Sequence, residues 1–109
     1  MLVGSLNSIE EGVVMINSKH IIVMTNTAAK KLFDVQEMIG WRVEDLFKGK
    51  EELLTAYSNI LYKKESQVLN TNLKSALCDK LISAKCRFIM VNVTEGTSGD
   101  ILLIIQPRN

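Results

Sequence analysis

The chain has 109 residues, the length of one domain, because two independent cores need roughly twice as much chain. A hydrophobic content of 47%, a charged content of 23%, one proline and six glycines exclude disordered, collagen-like and coiled-coil classes. Thirteen lysines and arginines against twelve aspartates and glutamates leave a formal net charge of +1, so the whole-chain field that draws proteins to nucleic acid or anionic membranes is missing.

Residues 1–11 read as an N-terminal cap in which SLNSIEE (5–11) forms a short helical turn that Gly12 stops. GVVMIN (12–17) and HIIVMT (20–25) are the first two strands, joined by a hairpin in which Asn17 is expected to take the left-handed conformation. The period then changes. Asn26 can cap a helix whose Ala28, Ala29, Leu32 and Phe33 share one side, and it opens a helical crossover spanning 26–64. Asp34 to Gly40 and Val43 to Phe47 read as two further helical turns. Residues 50–64 form the long helix, with Leu53, Tyr57, Ile60 and Leu61 on its buried stripe. Residues 66–106 return to a period of two, giving three strands, with TEGTSGD as the last hairpin loop. The order β-β-α-α-α-α-β-β-β implies an α+β domain: a five-stranded antiparallel sheet with short helices packed on one face.

The cysteines, Cys78 and Cys86, are too few for a disulfide framework and lack zinc-ligand spacing, which points to reduced thiols in a cytoplasmic setting. The longest apolar run, Ile101 to Ile105, is too short for a membrane span or a signal-peptide core.

Glu11-Gly12 opening the first strand, Asn26 followed by Ala28-Ala29 and Leu32-Phe33, and Ile39-Gly40 leading into Asp45-Leu46-Phe47 resemble the first half of a PAS domain. PAS domains are five-stranded sensor and interaction modules of histidine kinases, transcriptional regulators and other signalling proteins. Residues 6–47 carry the resemblance, and 66–106 match as a pattern of three strands. Asn17 stands where such domains often have an aspartate, and the glycine common in that turn is absent.

The resemblance implies a pocket between the sheet's inner face and the helices. Its candidate lining is Met15, Met24, Phe33, Arg42, Leu46, Tyr57, Leu69 and Thr71, almost all apolar, with Arg42 the candidate contact for an anionic ligand. Haem-binding relatives supply an axial histidine from the long helix. The only histidine here is His20, at a turn, and Tyr57 and Tyr62 read as helix-face residues, so haem is disfavoured. Lys85-Cys-Arg-Phe-Ile-Met90 resembles the flavin-adduct signature of the light-oxygen-voltage relatives. It falls after the long helix rather than before it, and Lys85 and Met90 replace the signature's asparagine and glutamine, so flavin is disfavoured too. No nucleophile has a base partner, and the pairs Glu10-Glu11, Glu44-Asp45 and Glu51-Glu52 sit at helix starts, so no enzyme activity is expected.

The last strands carry a different signal. Cys86, Phe88, Met90, Asn92 and Thr94 alternate with Arg87, Ile89, Val91 and Val93, and Ile101, Leu103 and Ile105 oppose Leu102 and Ile104. Both faces are apolar, whereas a sheet with one solvated face alternates more cleanly. About eleven residues precede the first strand, too few for a long covering helix. The expectation is therefore a homodimer through the outer sheet face, with Ile89, Val91, Val93, Leu102 and Ile104 at the interface, relaying a signal to an unseen output domain or partner protein. The alternative is a receptor for a small apolar or weakly polar metabolite.

Overall fold

The computed structural model describes residues 11–74, 81–91 and 99–108. The expected N-terminal helical turn, Leu77, Cys78, Val93 and most of the 94–100 loop lie outside them. Five strands, β1 (Gly12–Ile16), β2 (Ile22–Thr25), β3 (Gln67–Lys74), β4 (Leu81–Val91) and β5 (Asp100–Arg108), form one antiparallel sheet in the order β2-β1-β5-β4-β3. Between β2 and β3 the chain forms α1 (Thr27–Leu32), α2 (Val43–Leu46) and α3 (Glu51–Lys63). The first and last strands pair at the sheet's centre, which leaves β2 and β3 as its edges.

Asn26 ties the first helix to the first strand. Its Oδ1 accepts from Ala29 N at 2.9 Å as the helix cap, and also from Val13 N at 2.9 Å, while its Nδ2 donates to Glu11 O at 2.8 Å. Gly12 makes the approach possible: a Cβ there would lie 3.0 Å from Leu32 Cδ1 and 3.1 Å from Ala29 Cα. Gly12, Val14 and Ile16 thereby face the helices, and Val13 and Met15 face away.

Two local expectations are corrected. Asn17 does not take the left-handed conformation; His20 does, at φ 68°. The Asn17 carboxamide instead accepts from Lys19 N and Ile21 N, which fixes the turn from its first residue and passes the positive φ to His20, a residue type that tolerates it. Asp34 to Gly40 is not helical. Asp34 leaves α1 at φ 58°, and the Glu37 carboxylate accepts from Met38 N and Ile39 N, satisfying donors that a helix would have used otherwise. Gly40, at φ 92°, turns the chain back along β2, where Gly40 N donates to Ile22 O at 2.7 Å and Ile22 N to Trp41 O at 2.9 Å.

The long helix forms as expected and ends at Lys64 in the left-handed conformation, whose N–H donates to Ile60 O. It buries Leu53, Ala56, Tyr57 and Ile60, with Leu61 partly buried against the core. Replacing Asn26 by Ala removes a cap and two cross-links together, and is expected to lower stability by about 2–3 kcal/mol in urea unfolding. Asn26→Asp keeps the acceptor and is expected to cost less.

Candidate functional site

The space between sheet and helices is built around four rings. Phe47, just after α2, is fully buried, and its ring centroid lies 6.0 Å from Phe88 of β4 and 6.3 Å from both Phe33 and Tyr57. Tyr57 of α3 also meets Phe88 at 6.3 Å. The edge-to-face arrangements suit the ring quadrupoles. The Tyr57 hydroxyl reaches out of this cluster to His20 Nδ1 at 2.7 Å, and the two rings meet edge-on at 5.8 Å. His20 is therefore solvent-exposed, as expected of a turn histidine, yet joined to the core.

Burial governs the electrostatics. Desolvation pushes the Tyr57 hydroxyl up to about 12 and the Cys86 thiol up to about 12, so both stay neutral at ordinary pH. The exposed Glu37 carboxyl is lowered by the Ile39 and Met38 N–H donors. Cys86 is fully buried and held as a thiol, which makes it inert as a nucleophile. Among the described residues, no group of three or more His, Cys, Asp or Glu could hold a metal ion.

The eight pocket candidates divide three ways. Phe33, Leu46 and Tyr57 are buried on the inner side, and Leu69 and Thr71 stand on the inner face of β3, opposite Cys86 and Ala84. Met15 and Met24 correct the expectation: they pair with each other on the outer face, because Gly12 fixes the opposite parity of β1 toward the helices. Arg42 is also displaced from the pocket. Its exposed side chain pairs with Glu44 at 3.3 Å, and its backbone bridges Ile21 at the start of β2. Five of the eight share the inner side, with Phe33, Leu46 and Tyr57 in the core cluster and Leu69 packed against it, and the other three do not.

The outer face gathers what the inner face leaves. One row across four strands reads Met24, Met15, Leu102 and Ile89, and the next reads Val13, Ile104, Arg87 and Val68. Ile89, Val91, Leu102 and Ile104 are half-buried, and Met24 is 47% exposed. Val23 of β2, with Ile39 and Trp41 beside that strand, are exposed apolar side chains that the sequence reading did not single out. Their signal is spatial, since only the return of the chain at Gly40 brings Ile39 and Trp41 to that edge.

The sequence matches no protein-family model and no curated protein. Solved structures do match. A sensory box sensor histidine kinase from Vibrio cholerae superposes with a TM-score of 0.77 at 16% identity, over 99% of this chain and 89% of that one. The PAS domain of a Colwellia psychrerythraea protein gives 0.68 at 10% identity, over 90% and 86%. The chain has the PAS fold. A light-oxygen-voltage domain described with a flavin analogue also matches, at a TM-score of 0.70 and 14% identity, over 99% of this chain and 84% of that one.

The polar groups at the buried ring cluster are the Tyr57 hydroxyl, bonded to His20, and the Cys86 thiol, and Thr25 Oγ1, across from Val14, is buried without a hydrogen-bond partner among the described residues. His20 Nδ1 is engaged by Tyr57, and its side chain lies outside the core. The raised Tyr57 and Cys86 values make a pH prediction. Both groups are more easily kept neutral folded than unfolded, so their contribution is complete below the ordinary thiol value of 9.0 and is lost as pH rises toward about 12. Urea midpoints are expected to fall across that window, and Cys86→Ala with Tyr57→Phe is expected to flatten the decline.

Proposed function

We propose that this PAS fold works as a sensing and dimerisation module of a larger signalling protein of histidine kinase or transcriptional regulator type. It acts in the cytoplasm through protein–protein contacts and without a cofactor. The outer face carries the reading: the row of Met24, Met15, Leu102 and Ile89 is apolar throughout, and the next row sets Val13, Ile104 and Val68 around the exposed Arg87, on the side that no described helix covers. Similarity in fold to the Vibrio cholerae sensor histidine kinase supports the signalling role. No described helix is long and apolar enough to cross a membrane.

A second copy suits the face because a two-fold axis over the sheet sets the same apolar rows against each other. Inner and outer residues alternate on the same strands, so repacking around Phe47 and Phe88 shifts Ile89 and Leu102 and changes the contact between copies. A partner or output domain would read that change.

Sedimentation velocity tests the contact. The native chain is expected to be a dimer at tens of micromolar, and Leu102→Asp a folded monomer at about 100 µM, with unchanged circular dichroism, because burying a charge against Met15, Met24 and Ile89 costs more than the contact returns. A native chain that stays monomeric at that concentration contradicts the dimer. A rise in melting temperature with a small apolar metabolite would support the receptor reading instead.

A further inference from the structure

We propose that two copies pack outer face to outer face about a two-fold axis running along β5, so that Glu11 of each copy pairs with the partner's Lys85. The pairing rests on the outer-face dimer and adds its axis, and it can fail while the dimer stands.

β5 is the central strand of the five, with β1 on one side and β4 on the other. Register fixes the mirror positions about it: Leu102 lies between Met15 and Ile89, Ile104 between Val13 and Arg87, and Gln106 beside Lys85. Alternation carried one residue back from Gly12 puts the exposed Glu11 on the outer face with Val13 and Met15, across Gln106 from Lys85. Turning a second copy about β5 exchanges β1 with β4 and keeps the strand direction. Leu102 and Ile104 then meet their own counterparts, and Met15 meets the partner's Ile89. Glu11 meets the partner's Lys85, with the partner's Arg87 next along the same face.

Charge selects this arrangement. Glu11, Lys85 and Arg87 have no ion partner among the described residues, and the acid stands on one side of β5 with the two bases on the other. Within one copy they are two strand spacings apart, roughly 10 Å, too far for a direct ion pair between backbones that point their side chains the same way. Facing sheets also pack roughly 10 Å apart, but there a glutamate and a lysine reach toward each other and close the gap. An axis across the strands would also stack Leu102 on its counterpart. It sets Ile104 against the partner's Asp100 and Arg87 against the partner's Val91, however, and leaves Glu11 and Lys85 unpaired. The axis along β5 brings the two Asp100 residues together only at the strand's first position, where each is already engaged.

Sedimentation velocity at low ionic strength, where screening is weakest, tests the pairing. Glu11→Lys and Lys85→Glu each turn attraction across the axis into repulsion on both sides of it, and each is expected to weaken dimerisation about threefold to thirtyfold. The double variant restores opposite charges across the axis and is expected to dimerise within about twofold of the native chain. Glu11→Lys with Lys63→Glu has the same net charge, but Lys63 is an exposed residue of α3 on the other side of the sheet, so this control is expected to stay weakened. Unchanged circular dichroism checks that each variant is folded. A native dimer that neither single replacement weakens, or a double variant no stronger than the Lys63 control, overturns the pairing and leaves the outer-face dimer in place. A native chain that stays monomeric overturns both.

Discussion

The seating of α1 on β1 sets the rest of the architecture. One carboxamide, Asn26, caps the helix, accepts from the Val13 amide and donates to the Glu11 carbonyl, and the missing side chain of Gly12 lets Ala29 and Leu32 come close enough for this to happen. The three bonds join residues thirteen to fifteen apart to a local cap, so helix start and strand register are fixed together. With Gly12 facing the helices, every other residue of β1 must follow. Pairing carries the same parity into β5 and β4, which places Leu103, Ile105, Cys86 and Phe88 inward and Leu102, Ile104 and Ile89 outward.

That parity has opposite consequences for the two sides of the sheet. Inside, Phe33, Phe47, Tyr57 and Phe88 form one cluster of rings between the helices and the sheet. Dense packing transmits displacement because a close-packed interior has discrete arrangements rather than continuous give. Outside, side chains from the same strands form apolar rows with no covering element among the described residues. The proposed function rests on this contrast between a ring-packed inner side and an outer side with apolar rows.

Much of the fold was legible because its signals are local. Asn26 before an amphipathic run, the stripe of Leu53, Tyr57 and Ile60, and the alternation from Gln67 onward each depend on a few neighbouring residues, and each is found where expected. The failures are positions that long-range geometry decides. Met15 and Met24 sit in strands with apolar residues at consecutive positions, so alternation could not choose their face; the contact of Gly12 with Leu32 and Ala29 chose it. Asp34 to Gly40 has helix-forming residues, but the Glu37 carboxylate takes local amides and Gly40 N bonds to β2. Arg42 was placed at the pocket by sequence proximity to Gly40-Trp41, and the same return along β2 turned it to solvent beside Glu44.

Native mass spectrometry of freshly purified protein tests the central claim most directly, since it reports subunit number and bound mass together. A packed inner face and an outer contact between copies predict a dimer with no mass beyond two chains. A monomer carrying a stoichiometric small molecule would contradict both halves of the account.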